Sequence, residues 1–84
     1  LIGANAGTGI PLGDRCTIEA GLYITASSPV TVLDNNRASV KVVKARNLAG
    51  KSDLLFIRDG LSGVITCRTN RNAIELNAEL HDLN

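Results

Sequence analysis

The feature that most restricts this chain is a period of six. Aliphatic residues stand at Leu12, Ile18, Ile24 and Val30, and four places after the first three of them come Cys16, Leu22 and Ser28. An α-helix needs apolar recurrence near 3.6 residues, and Gly13, Gly21 and Pro29 oppose helix further. A six-residue repeat with an aliphatic in first place and a small residue in fifth predicts a hexapeptide parallel β-helix. Each hexad supplies one short strand and a turn, and the aliphatic points into a prism whose faces are stacked strands. An antiparallel meander is the alternative, but its strands and turns commonly recur at intervals of about 8–12 residues.

The prism explains an odd composition. Aromatic residues make up 2% of the chain, one Tyr and one Phe, with no Trp and no Met, although 44% of it is hydrophobic. Layers of Leu, Ile and Val leave no space for rings, so the architecture accounts for the scarcity of aromatics. Ile2 to Gly7 also fits a hexad, but Leu12 follows Ile2 by ten, and Thr8-Gly9-Ile10-Pro11 breaks the register. An insertion or a corner is expected there.

After the repeats the pattern changes. Val30 to Leu33 and Val40 to Val43 flank Asp34-Asn35-Asn36-Arg37, whose Asn residues tolerate positive φ, and predict a β-hairpin. Leu54 to Ile57 and Val64 to Cys67 predict a second. Ala73, Leu76, Leu80 and Leu83 recur at helical spacing and predict a short terminal helix. The expected division is residues 1–31 as β-helix coils and 32–84 as hairpins and helix. Residues 2–31 give fewer than two coils, whereas stacked repeats need about three units to bury a continuous core. The chain is therefore expected to be the C-terminal part of a longer repeat protein.

Several functional classes are disfavoured. No run reaches the roughly 18 apolar residues of a membrane span. Cys16 and Cys67 with the lone His81 do not form a zinc set at paired short spacings, and they are expected to be buried, reduced thiols of a cytoplasmic protein. His81, between Glu79 and Asp82, is expected at the surface. Ala45 to Ser52 matches a relaxed phosphate-binding loop, with Ala45 in place of the first glycine, but Leu54 to Ile57 is too short and too apolar for the amphipathic helix that must follow. Gly7-Thr8-Gly9 lacks the third glycine of a dinucleotide loop, because Leu12 stands there.

Net charge is +1 but unevenly spread: residues 1–33 carry −1, residues 34–58 carry +4 and residues 59–84 carry −2. Lys41, Lys44, Arg46, Lys51 and Arg58 are either the solvated face of a hairpin or an anion site. Nucleic acid fits poorly, with a near-neutral balance and no aromatic platforms for bases; a compact polyphosphate fits better. Glu19, the lone acid inside the regular repeats after Asp14, is either a turn carboxylate accepting backbone N–H bonds or a group facing a ligand.

Together these stretches resemble a known family. Gly3-Ala4-Asn5-Ala6-Gly7-Thr8-Gly9-Ile10, Leu12-Gly13-Asp14-Arg15-Cys16, Ile18-Glu19-Ala20-Gly21-Leu22-Tyr23-Ile24-Thr25-Ala26, Val43-Lys44-Ala45-Arg46, Asp53-Leu54-Leu55-Phe56 and Ala73-Ile74-Glu75-Leu76-Asn77 are similar to the C-terminal region of tetrahydrodipicolinate N-succinyltransferases, in the longer form of actinobacteria and pseudomonads. The resemblance covers essentially the whole chain. It implies a left-handed parallel β-helix, a homotrimer with active sites between subunits, and transfer of succinyl from succinyl-CoA to the amine of L-2-amino-6-oxopimelate in lysine and diaminopimelate biosynthesis.

Carried over residue by residue, the family's cofactor contacts fall on Ala4, Glu19, Ala20, Ser27, Lys44, Ile57, Arg58, Asp59 and Gly60. The chain departs from the family where Ser27 replaces a common Gly, and where Ile57-Arg58-Asp59-Gly60 replaces an Arg-Arg-Asn-Ser run. The family's catalytic carboxylate and its metal ligands on the trimer axis fall upstream of Leu1, so no catalytic or metal-binding residue is expected in this segment, and the segment alone is expected to be inactive. Two other readings stay open: an acetyl-CoA-dependent acyltransferase of the same repeat class, and a non-catalytic trimerisation or capping module.

Overall fold

The chain turns three times around a shared apolar axis, and each turn presses its aliphatic side chains onto the one below. A computed structural model describes residues 1–34 and 38–69, without the Val40 side chain. Three two-residue strands define the coils: β1 (Gly7–Thr8), β2 (Thr17–Ile18) and β3 (Tyr23–Ile24). β1 lies parallel to β3, with Gly7 opposite Tyr23 and Thr8 opposite Ile24. Ile2 bridges Ile18 in the same parallel sense. Every partner lies sixteen positions on, so one coil is two residues short of three full hexads.

The shortened side is the stretch that broke the sequence register. Rather than carrying an insertion, the chain cuts across from Thr8 to Leu12. Ile10 turns inward there and is buried, while its N–H donates to the Thr8 hydroxyl at 3.1 Å. The expected corner is present, and it is a contraction.

The six-residue period is realised in the core. Ile18, Ile24 and Val30 are buried, as are Cys16 and Leu22 four places after Leu12 and Ile18, and Leu12 packs partly buried against them. Each fully buried aliphatic contributes about 1.5–3 kcal/mol relative to exposure. Corners stack as well. Asn5 and Gly21, sixteen apart, both take positive φ, at 55° and 80°, and the Gly21 N–H donates to the Ala4 carbonyl at 2.8 Å.

Both predicted hairpins form. β4 (Pro29–Leu33) pairs antiparallel with β5 (Ser39–Lys44), and β6 (Leu54–Arg58) pairs antiparallel with β7 (Ile65–Thr69). β6 returns to the prism and lies parallel on β2, placing Leu55 over Thr17 and Phe56 over Ile18. β4 runs parallel to β7, which completes a sheet in the order β2-β6-β7-β4-β5. The hairpins thus add the third tier that two repeat coils lack.

Phe56 overturns the expectation that no ring fits inside. It is fully buried and is the largest such side chain among the described residues. Room exists because its antiparallel partner is the small Cys67. Tyr23 does lie outside, 61% exposed, with its ring across Gly7, where a Cβ would come within 2.6 Å of the ring.

A short 3₁₀ turn, Ala45–Leu48, leads from β5 to the last corner. There the apparent phosphate loop is absorbed into coil stacking: Gly13 N–H donates to the Lys51 carbonyl at 3.1 Å, Asp14 N–H to the Ser52 hydroxyl at 2.9 Å, and Asp53 N–H to the Asp14 carbonyl at 2.8 Å. The terminal helix expected from about residue 72, with His81, and the turn at 35–37 lie outside the described residues.

Candidate functional site

One prism edge carries most of the residues singled out by sequence. Ala4 forms its lowest tier and Glu19-Ala20-Gly21 the next, joined by the bond from Gly21 to Ala4. Gly3 is required here, because a Cβ on it would meet the Ala20 backbone nitrogen at 2.5 Å. The end of β6 supplies the upper tier. Glu19, Ala20, Arg58, Asp59 and Gly60 together line a cavity of about 300 Å³.

Glu19 resolves its two readings in a specific way. Its Oε2 accepts the backbone N–H of Arg58 at 2.9 Å, across 39 positions of sequence, and its own N–H donates to the Phe56 carbonyl at 3.0 Å. It is a carboxylate holding backbone, and it stands on the cavity wall at the same time.

The loop between β6 and β7 is organised by Asp59. Its Oδ1 accepts the Leu61 N–H at 3.3 Å, and its Oδ2 accepts the Ser62 hydroxyl at 2.7 Å. The Ser62 hydroxyl, followed by the Leu61 N–H, holds the Asp59 carboxyl below the usual carboxylate range. Gly63 closes the loop at φ 75°, a conformation that favours glycine, and its carbonyl accepts Arg58 Nη1 at 2.9 Å. Ser62 and Gly63 were not among the expected site residues. Their signal was the Ser-Gly turn dipeptide between two apolar runs.

Ser27 and Lys44 lie on another edge. The backbone on either side of Ser27 receives the chain after Lys44: Ala45 N–H donates to the Ser28 carbonyl and Arg46 N–H to the Ala26 carbonyl, each at 2.9 Å. Lys44 is exposed at the end of β5, opposite Pro29. A trough of about 510 Å³ runs from Ser28 and Pro29 past Val42 to Arg58 and Gly63; Ser27 and Lys44 neighbour its lining in sequence but are not part of it. Ile57 faces a further cavity of about 450 Å³, shared with Arg58, Asp59 and Gly60. Arg58 therefore borders all three spaces, with an aliphatic trough on one side and a carboxylate on another.

The remaining titratable pairs are structural. Arg15 and Asp53 both adopt positive φ, at 57° and 61°, at stacked corners, and Arg15 Nε meets Asp53 Oδ1 at 2.5 Å. The hydrogen bond to Asp53 and its charge raise the Arg15 pKa. Both thiols are free and buried. Burial, with a smaller contribution from Cys16, pushes the Cys67 thiol up to about 12. Among the described residues no group of three or more His, Cys, Asp or Glu could hold a metal ion, and no helix is long and apolar enough to cross a membrane.

Comparisons with known proteins agree with this geometry. Residues 1–26 match the family model described as the hexapeptide repeat of succinyl-transferase. The 2,3,4,5-tetrahydropyridine-2,6-dicarboxylate N-succinyltransferase of Pseudomonas putida is 65% identical over 96% of the chain, and that of Vibrio cholerae 60% identical over 100%. The chain spans 24% of the length of each. A Campylobacter jejuni crystal structure assigned as a 2,3,4,5-tetrahydropyridine-2-carboxylate N-succinyltransferase superposes with a TM-score of 0.73 at 31% identity, over 88% of this chain and 22% of that one. The coils and hairpins thus make up the end of a left-handed parallel β-helix, and over its whole length the chain is a homologue of the C-terminal region of the tetrahydrodipicolinate N-succinyltransferases.

Proposed function

We propose that this chain is the CoA-binding C-terminal portion of a succinyltransferase that moves succinyl from succinyl-CoA to the amine of L-2-amino-6-oxopimelate, the ring-opened form of tetrahydrodipicolinate, in lysine and diaminopimelate biosynthesis. The enzyme works as a cytoplasmic homotrimer whose sites lie between subunits. The observation that carries this reading is the 65% and 60% identity of nearly the whole chain to succinyltransferases. The trough from Ser28 and Pro29 to Arg58 supports it, because an elongated ligand such as CoA needs a long surface with a cation beside its phosphates.

The reaction is attack of an amine on a thioester. The nitrogen forms an amide bond to the succinyl carbonyl carbon, the carbon–sulfur bond breaks, and CoA leaves as its thiol. A base takes the proton lost by the amine, and donors hold the developing oxyanion. In this chain Arg58 and Lys44 pair with CoA phosphates. Ala4, Ala20 and Gly60 keep the groove open by being small, Ser27 contacts the cofactor beyond the Ser28 end of the trough, and Ile57 packs against the apolar part of the cofactor. Glu19 and Asp59 shape the groove through the backbone groups they hold; both carboxylates are already engaged, which leaves the base to another part of the enzyme. The metal expected on the trimer axis likewise has its ligands elsewhere.

The direct test is titration of succinyl-CoA and CoA into the assembled enzyme and its Lys44→Ala and Arg58→Ala variants. Each variant is expected to weaken binding about tenfold or more, the loss of a charge-assisted hydrogen bond of about 1.5–3 kcal/mol. Unchanged affinity in both removes the phosphate role.

A further inference from the structure

The five-stranded sheet has two faces, and the core fills one of them. Side chains alternate along a strand, so Val30, Val32, Phe56 and Cys67 turn inward, where they are buried, and their neighbours in sequence turn outward. One outward row runs Ile57, Thr66, Thr31 and Val42 across β6, β7, β4 and β5. Beside it Leu55 stands opposite Arg68, and Leu33 lies on the same side, lining one hollow with Thr66 and Arg68. A sheet face left to water ordinarily carries polar side chains at such places. Here Leu33, Val42, Leu55 and Ile57 are aliphatic, and the Thr66 hydroxyl is spent on the Ile57 carbonyl at 3.0 Å. Among the described residues of β4 to β7, the charged side chains on this face are Lys44 and Arg68, both cations.

The substantial contacts between described elements all lie between sheet or coil neighbours, so none of these elements serves as a cover for the outer face. Arg68 is half-buried there, and its guanidinium makes no hydrogen bond or ion pair among the described residues. Five donors without an acceptor are ordinarily matched to a carboxylate or a phosphate. The route of the chain names a cover. β7 lies between β6 and β4, so the residues after Thr69 return to the body only across a face of the sheet, and the inner face is full. Residues 70–84 carry Glu75, Glu79 and Asp82 against Arg71, a net charge opposite to that of the face. Ala73, Leu76, Leu80 and Leu83 fall on one apolar stripe at helical spacing. At the rise of a helix, residues 73–83 span about 16 Å, against about 14 Å from β2 across to β4 at the spacing of strands.

We propose that the outer face, at its Leu33, Leu55 and Arg68 end, is the docking surface for residues 72–83 of the same chain, with a carboxylate of that segment on the Arg68 guanidinium. This end of the hairpin is opposite the loop between β6 and β7, so the groove at Gly60 stays open. The inference does not rest on the succinyl-CoA reading.

The test uses the assembled protein, prepared from a mixture of isotopically heavy and light chains, with Leu55→Cys combined with Leu76→Cys or with Leu80→Cys. A short bifunctional maleimide joins the introduced thiols, while Cys16 and Cys67 are buried. Linked peptides of one isotope only are expected in at least one pair. Mixed heavy and light links, which place a second copy's segment on the face, overturn the proposal, and so does the absence of links in both pairs. A second measurement reads the labelling rate of Leu55→Cys alone, with the fully exposed position of Leu61→Cys as reference. Leu76→Asp together with Leu80→Asp is expected to speed labelling at Leu55→Cys about tenfold or more by unseating the segment, and to leave Leu61→Cys unchanged. An unchanged rate at Leu55→Cys overturns the docking.

Discussion

The two aromatic residues make opposite predictions, and their contrast tests the prism. Phe56 is 0% exposed, lies over Ile18 and faces Cys67, so truncation to alanine removes a ring from a space that coil stacking holds open. A Phe→Ala change at such a site costs about 3–5 kcal/mol. Tyr23 is 61% exposed and rests on Gly7. With roughly two-fifths of its surface covered, and about 1.5–3 kcal/mol for burying a large side chain completely, Tyr23→Ala should cost near 1 kcal/mol. In urea, with a slope of about 1.5 kcal/mol/M, Phe56→Ala should lower the midpoint by about 2–3 M and Tyr23→Ala by less than about 1 M. Both are read at one protein concentration, since association shifts apparent stability. Equal shifts, or a larger one for Tyr23→Ala, would refute the placement of Phe56 as a buried layer of the stack over Ile18.

Other perturbations probe the same stack. Gly3→Ala and Gly13→Ala drive a methyl against backbone, at 2.5 Å from Ala20 N and 2.6 Å from the Lys51 carbonyl, and should destabilise by about 1–3 kcal/mol or more. Gly7→Ala meets only the Tyr23 ring, which can swing into solvent, and should cost less in the same unfolding experiment. Glu19→Ala removes the acceptor for the Arg58 N–H, whereas Glu19→Gln keeps a carbonyl oxygen there; amide hydrogen exchange at Arg58 should accelerate in the first and stay closer to wild type in the second. Cys67 gives a pH signature. Its thiol titrates near 12 when folded against a reference of 9.0, so the unfolded chain loses its proton first and stability falls as pH rises from about 9 toward 12. Unfolding midpoints measured across that range should flatten in Cys67→Ala, and an undiminished slope would show that another group is responsible.

The parts of this fold legible in sequence are those in which a side chain repeats. Leu12, Ile18, Ile24 and Val30 announce the coil because one apolar residue per strand is all that a prism needs, and the Asx-rich and Gly-rich turns announce the hairpins. What escaped was set by contacts with no local period. The short side at Thr8 to Leu12 looks like an insertion until Ile10 is seen turning inward. Phe56 fits inside because Cys67, eleven positions on, is small. Arg15 and Asp53 meet across 38 positions only because two corners stack.

The site divides the same way. Glu19, Ala20, Arg58, Asp59 and Gly60 gather on one cavity as a group, but the bonds that shape them belong to Ser62 and Gly63, whose sequence signal is only that of a turn.

The central claim is the succinyl transfer itself, and release of free CoA thiol measures it most directly. An enzyme containing this chain, supplied with tetrahydrodipicolinate, should release thiol from succinyl-CoA and far less from acetyl-CoA, and Arg58→Ala should raise the KM for succinyl-CoA. Thiol release from acetyl-CoA at the same rate, or none from either ester in a correctly folded enzyme, would contradict the account.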